Sequence, residues 1–378
     1  MKNVVIAGYA RSPFTPARKG DLAKVRPDDM AAQVVGALVE RTGVATEDIE
    51  DLLCGCAFPE GEQGFNIARL LAFIAELPVT LPGATVNRFC GSSMQAIHIA
   101  AGAIQMNAGD AFICAGIESM TRIPMGGFNP LPNPGLMERF PQAYVSMGET
   151  AENLAKQFDI SRERQEEFAV ASQAKAAAAQ ADGRLDGEIV PIDGPNGTVE
   201  RDGCIRAETT MDALAGLKLA FDENGTVTAG TSSPLTDGAS AVLVCSEEYA
   251  AAHDLDPLAR IKSVAVSGCA PETMGLGPVL STRKALERAG LELGEIDIIE
   301  LNEAFSAQSL ACIDELGLDV ERINLDGGAI AIGHPLGATG ARITGKAAQL
   351  LHREGKQYAL ATQCIGGGQG IATILEAV

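Results

Sequence analysis

Residues 40–57 return, 247 positions later, as residues 287–304. Glu40, Arg41, Gly43, Ile49 and Ala57 meet Glu287, Arg288, Gly290, Ile296 and Ala304, and apolar positions coincide in the strand that follows. The order of elements repeats as well. Ala111–Ala115 and Tyr358–Thr362 are apolar runs, and each follows a helix-like stretch that contains glycine. Solenoid units recur every ~20–50 residues, so this period is far too long for one. A chain with such a repeat is expected to fold as two similar halves.

Each half alternates strand-like and helix-like runs. Val4–Tyr9 reads as a buried strand. Pro27–Arg41 reads as a helix with Met30, Val34, Ala37 and Leu38 on one face, stopping at Gly43. Ile49–Cys56 and Ala111–Ala115 read as further strands, with a helix over Ser92–Asn107 between them. Alternation of this kind predicts a mainly parallel sheet covered by helices. From about Met120 the texture changes. Residues 123–148 are rich in Pro, Gly and Met and have little periodicity, which marks a long functional loop. Helices are expected over Thr150–Phe158 and again after Ser161, a natural N-cap, to near Gly183. Alternation resumes at Gly238–Cys245. The expected organisation is a first half of 1–120 plus 233–254, an inserted segment of 121–232, and a second half of 255–378.

The 378 residues carry 29 Lys+Arg against 49 Asp+Glu, a net charge of −20. Such a chain is repelled by nucleic acid and by anionic membrane surfaces, so neither is an expected partner. No apolar run approaches the ~20 residues of a membrane-spanning helix, and the first strand is too short for a signal-peptide core. A soluble cytoplasmic protein is expected. Nine cysteines, an odd and dispersed set, point to a reducing compartment and to thiols with individual fates. Cys54-x-Cys56 has the wrong spacing for zinc and no partner pair, so no metal is expected. No Gly-x-Gly-x-x-Gly follows the first strand, which argues against a nicotinamide fold.

Four segments combine chemistry-bearing side chains with room around them. In Asn87-Arg-Phe-Cys-Gly-Ser-Ser-Met-Gln-Ala96, Cys90 stands where a turn becomes a helix. Unpaired N–H groups and the helix dipole there favour a thiolate, and a depressed pKa would make Cys90 a nucleophile. The bland alternative is a small core residue. In Gly327–Arg342, His334 lies in a glycine-dense loop before Pro335, placed for general-base work. In Cys364-Ile-Gly-Gly-Gly-Gln-Gly370, a strand delivers a second thiol into bare backbone N–H groups that suit an oxyanion. In Asn302-Glu-Ala-Phe305, Asn302 ends the strand Ile298–Leu301, where open α/β sheets place their sites. Cys90, His334 and Asn302 alone would suit a Cys-His-Asn hydrolase. That scheme leaves Cys364 idle. Two thiols and one imidazole suggest acyl transfer with a separate proton transfer at carbon.

These segments, with Thr228-Ala-Gly-Thr-Ser-Ser233, resemble the signatures of the thiolase family in order along essentially the whole chain. The resemblance implies an α/β fold of two duplicated halves in five layers, αβαβα, with a loop domain inserted in the first. It implies CoA-dependent thiolytic cleavage of a 3-ketoacyl-CoA. Cys90 would carry the acyl group and His334 would activate it. Asn302 would hold a water in one oxyanion pocket, and the N–H groups of Cys90 and Gly366 would form a second. Cys364 would exchange a proton with the acetyl carbon.

By the same resemblance, Arg206, Ser233, Ala229, Leu235 and Met147 would touch CoA, and Phe305 would wall the acyl pocket. CoA would be a substrate, with no permanently bound cofactor. Members of the biosynthetic type carry His-Met-Gly where this chain has Ser146-Met147-Gly148, which tilts the reading to the degradative branch and fatty-acid β-oxidation. A biosynthetic acetoacetyl-CoA thiolase is the alternative, and a thioester hydrolase or a non-catalytic lipid carrier stands behind it. A homodimer or homotetramer is expected, with a β-oxidation multienzyme subunit as a further candidate partner.

Overall fold

The structure, a computed structural model, describes residues 2–378. Nine strands form a continuous path: β1 Val4–Arg11, β2 Ile49–Cys56, β3 Gly83–Val86, β4 Ala111–Ser119, β5 Thr236–Ser246, β6 Ala259–Gly268, β7 Ile298–Leu301, β8 Tyr358–Ile365 and β9 Gln369–Glu376. Their order is β7-β8-β9-β6-β1-β5-β4-β2-β3, and a short strand at Thr15–Pro16 adds to β5. Within the sheet the two halves join where β1 pairs with β6, at Val5–Arg260 and Ile6–Ala259.

The repeat in the sequence is a repeat in register. In the first half Asp51, Leu52, Leu53 and Cys54 pair in parallel with Phe112, Ile113, Cys114 and Ala115. In the second, Ile298, Ile299, Glu300 and Leu301 pair in parallel with Ala359, Leu360, Ala361 and Thr362. Every one of these positions obeys the same 247-residue offset. Gly43 and Gly290 end their helices with φ of 67° and 68°, the left-handed cap that glycine adopts at low steric cost.

The sheet is mixed, which corrects the mainly parallel expectation. β1–β5, β5–β4, β6–β9 and β9–β8 are antiparallel. The reason lies in the Gly366–Gly368 run. Gly367 and Gly368 have φ of 78° and 81°, so β8 folds straight back into β9 as a hairpin with no crossover helix. In the first half the equivalent antiparallel neighbours are β4 and β5. There the whole segment between Ser119 and Thr236 stands in place of the turn.

Eight helices of eight or more residues accompany the strands: α1 Pro27–Thr42, α2 Ile67–Ile74, α3 Ser92–Gln105, α4 Met147–Gln157, α5 Arg162–Ala181, α6 Gly277–Ala289, α7 Ser306–Leu316 and α8 Leu336–Glu354. Alternating strand residues sort into layers. Val5, Ile113 and Leu243 pack outward with α1 and α2. Val4, Ile6, Phe112 and Val244 pack inward with α3 and α8, which also cover Ala359 and Ile371 of the second half. Leu360 and Ile374 pack on the far side with α6 and α7. The result is five layers, with α3 and α8 sandwiched at the centre.

That central layer is very tight. A Cβ on Gly340 of α8 would lie 2.3 Å from the backbone nitrogen of Met94 in α3, and one on Gly55 would lie 2.2 Å from that of Ser93. The inserted segment is held to this core by buried ion pairs. Arg11 binds Glu188 and Asp202 at 2.7 Å each, and Lys346 of α8 binds Glu188 at 2.8 Å and Asp326 at 2.7 Å. Within that segment, α4 begins at Met147, a turn earlier than expected, because Ser146 and Glu149 form a capping box. Ser161 caps α5 as expected. The loop before α4 holds a short helix at Pro134–Arg139. Among the described residues no helix is long and apolar enough to cross a membrane.

The central packing makes a paired prediction. Gly340→Ala drives a methyl into backbone and should destabilise the fold by ~1–3 kcal/mol. Gly102→Ala, on α3 where a Cβ meets nothing within 4 Å, should stabilise by ~0.5–1 kcal/mol. Thermal melts of the two variants check both signs, and equal effects would contradict the packing described.

Candidate active site

Cys90 is set by a strained turn. Phe89 has φ of 42°, uncommon for a bulky residue. The amide of Gly91 donates to the Arg88 carbonyl at 2.9 Å. Ser92 locks the turn: its hydroxyl donates to the Phe89 carbonyl at 2.6 Å and accepts from the Arg88 amide at 2.9 Å. The thiol therefore stands just before α3, buried at 9% exposure. Gln363 donates to the Cys90 carbonyl, which ties this turn to β8 of the other half.

The second half brings the remaining groups to the same place. Cys364 ends β8 opposite Gly370. Beyond it, the Gly366 N–H lies on the side of the Cys90 thiol and, with the N–H of Cys90 itself, favours its ionised form. Asn302 follows β7, its amide bonded to the Thr362 carbonyl at 3.0 Å. His334 is reached through Gly333, whose φ of 111° only glycine adopts readily. Its backbone N–H donates to Thr236 Oγ1 at 3.0 Å. Its ring nitrogens face Thr339 Oγ1 (Nδ1, 2.6 Å) and Asn302 Nδ2 (Nε2, 3.5 Å). Asn302 Oδ1 is buried with no protein partner, and a polar atom so placed suits a bound water.

Cys90, His334 and Cys364 line one apolar cavity of about 240 Å³, with Met147, Ser233, Leu235 and Phe305 on its walls. Phe305 is held there by Phe221, edge to face at 5.8 Å. Arg206 and Ala229 lie elsewhere, in a neighbouring cavity of about 380 Å³. The two cavities share Ser232 and Pro234 in their walls, so they adjoin each other. Arg206 is exposed. Asn302 and Gly366 do not line the Cys90 cavity; they lie beside His334 and Cys90 respectively.

Sequence reasoning missed three contributors. Met120 and Met274 complete the cavity wall and look like ordinary core residues in sequence. Glu118 is fully buried. It accepts from the amides of Ala57 at 2.8 Å and Gly337 at 3.0 Å, and from Gln63 Nε2 at 2.7 Å. It thus pins the loop after β2 to the start of α8. A carboxylate closing the apolar run of β4 was its one available signal.

The electrostatics correct the expectation of a resting thiolate. Burial pushes the Cys90 thiol up to about 11, although the two N–H groups oppose it. Burial, and then the nearby Cys90, raise Cys364 well above the usual thiol range. Burial, and then the Arg342 charge, lower His334 to about 3. All three groups are neutral at rest near neutral pH. Among the described residues no group of three His, Cys, Asp or Glu side chains is arranged to hold a metal ion.

Comparison with known proteins fits this geometry. Residues 4–248 match the family description "Thiolase, N-terminal domain", and residues 255–377 match "Thiolase, C-terminal domain". The chain belongs to the thiolase family. It is 50% identical, over the full length of both chains, to 3-ketoacyl-CoA thiolase of Shewanella frigidimarina. Among solved structures it resembles the acetyl-CoA acetyltransferase of Bacillus anthracis (TM-score 0.92, 38% identity) and human mitochondrial 3-ketoacyl-CoA thiolase (TM-score 0.92, 36% identity). Each covers 100% of this chain and 99% of the other. The fold is thus shared by relatives bearing both names.

All nine cysteines are free, and burial raises every one of them. Above the ordinary thiol pKa of 9.0, the unfolded chain loses protons that the folded chain keeps. Stability therefore falls as pH rises. In reductant, the thermal midpoint should be level near neutral pH and fall above about pH 9. A midpoint level up to about pH 11 would contradict the burial described.

Proposed function

We propose that this chain, an acyltransferase of the thiolase family, cleaves 3-ketoacyl-CoA with CoA to give acetyl-CoA and a shortened acyl-CoA. One observation carries the reading: two thiols and an imidazole, drawn from both halves, face one apolar cavity. The N–H groups of Gly366 and Cys90 both favour negative charge on the Cys90 sulfur.

The step follows from the residues present. The Cys90 proton passes to His334 Nε2 as the sulfur attacks the 3-keto carbon. The bond between that carbon and C2 breaks, and its electron pair leaves as the enolate of acetyl-CoA. The protonated imidazole and a water on Asn302 face the enolate oxygen. Cys364 gives its proton to the enolate carbon. The thiol of a second CoA then returns a proton to Cys364 and attacks the acyl group. The leaving Cys90 sulfur recovers its proton from His334, and the enzyme is restored. Over the acyl-enzyme, the Cys90 and Gly366 N–H groups hold the developing oxyanion, where one donor is worth ~10²–10³ in rate.

CoA enters as substrate, lying through the two adjoining cavities past Ser232 with its anionic end toward Arg206. Residues 121–232 form the CoA-binding insertion between 1–120 plus 233–254 and 255–378. The names of the sequence relatives, and Ser146 in place of a histidine, favour the degradative reading and a role in β-oxidation. The Bacillus anthracis neighbour supports a second reading, acetyl-CoA acetyltransferase. A kinetic series separates them. Rising kcat/KM on 3-ketoacyl-CoA substrates longer than acetoacetyl-CoA supports the first, and activity confined to acetoacetyl-CoA supports the second. We place the protein in the cytoplasm as a homo-oligomer.

Cys364→Ala should still load acyl groups onto Cys90 but lose carbon–carbon cleavage by ~10²–10⁴. Mass spectrometry of the acyl-enzyme and a cleavage assay check this, and joint loss of both steps would refute the role. Cys90→Ala should lose both. Arg206→Ala should raise KM for CoA about fivefold at unchanged kcat, the ~1 kcal/mol of one exposed ion pair.

A further inference from the structure

We propose that Thr339 is a positioning residue that fixes the tautomer of His334, keeping the proton on Nδ1 and the lone pair on Nε2. The proposal rests on the reading of His334 as the base for Cys90. Thr339 lies in the first turn of α8, and its hydroxyl is 3.0 Å from the Pro335 carbonyl, four residues back. A helical threonine commonly donates to that carbonyl. The hydroxyl has a single proton. Once that proton is given to Pro335, Oγ1 offers only lone pairs to the imidazole, 2.6 Å away. His334 Nδ1 must then be the donor.

The other side of the ring agrees. Asn302 Nδ2, a donor with no acceptor capacity, faces Nε2 at 3.5 Å. A proton on Nε2 would point at another proton. Both neighbours therefore select the same tautomer, and it is the one in which the unprotonated nitrogen faces Asn302. The arrangement is local and rigid: Thr339 and His334 are buried, the His334 amide is tied to Thr236, and Gly337 is tied to Glu118. In the reaction, Nε2 takes the Cys90 proton while Nδ1–H stays on Thr339, so the imidazolium forms without reorientation.

Thr339→Val removes the hydroxyl at nearly constant shape, and Thr339→Ser keeps it. Nitrogen-15 spectra of histidine-labelled resting enzyme give a readout independent of turnover. Wild type and Thr339→Ser should show His334 with a protonated Nδ1 and a bare Nε2, and Thr339→Val should move toward the opposite tautomer. Single-turnover acylation of Cys90 should slow ~10–10²-fold in Thr339→Val, with KM nearly unchanged, and recover in Thr339→Ser. Unmoved His334 resonances in Thr339→Val would overturn the proposal. So would a rate loss that Thr339→Ser fails to restore, since that marks Thr339 as packing alone. Failure of wild type to acylate Cys90 would instead refute the functional reading, while the spectra still decide the tautomer.

Discussion

Everything at the centre depends on two helices whose backbones touch. α3 and α8 come from different halves of the chain, yet glycine lets them approach to a distance at which no side chain fits. A Cβ on Gly340 of α8 would lie 2.3 Å from the Met94 amide nitrogen of α3, and one on Gly116 of β4 would lie 2.4 Å from the Gly337 carbonyl oxygen at the start of α8, both closer than a real Cβ contact. Because Cys90 precedes α3 and His334 precedes α8, this contact brings the thiol and the imidazole to one cavity.

The same closeness explains the electrostatics. A layer packed between two sheet halves is dry, so thiols hold their protons and the imidazole refuses one. Reactivity then arises from arrangement, not from a permanently charged sulfur. The buried cations Arg11 and Lys346, with Glu188, Asp202 and Asp326, are affordable in that dry layer only because each is paired. Their geometry ties the substrate-side segment to β1 and α8.

Local signals in the sequence reached far into this fold. Ile49–Cys56 and Ile298–Leu301 are strands at the boundaries read from their apolar runs, and the 247-residue offset is kept residue by residue in the pairing. Cys90, His334 and Cys364, which the fold brings to one cavity, stand out in sequence because each sits in a setting that core packing does not need: a turn, or a run of glycines. What stayed hidden is what only tertiary structure creates. The strand directions depended on a hairpin concealed in Gly366–Gly368. The raised pKa of Cys90 came from burial by the other half. Met120 and Met274 were indistinguishable from core, and Thr339 looked like one more small residue on a helix.

The two equivalent turns of the duplicated halves have met different fates. In the second half the turn between antiparallel neighbours is three glycines, and it carries the N–H that bears on the Cys90 sulfur. In the first half the same position was opened and filled with a segment that walls the two cavities. Met120 and Cys364, beside the two turns, line the same cavity, so duplication gave this molecule a spare corner beside its own chemistry. One copy stayed minimal, where the reacting atoms demand a fixed backbone. The other was free to lengthen and to adapt to a new ligand without disturbing the reaction.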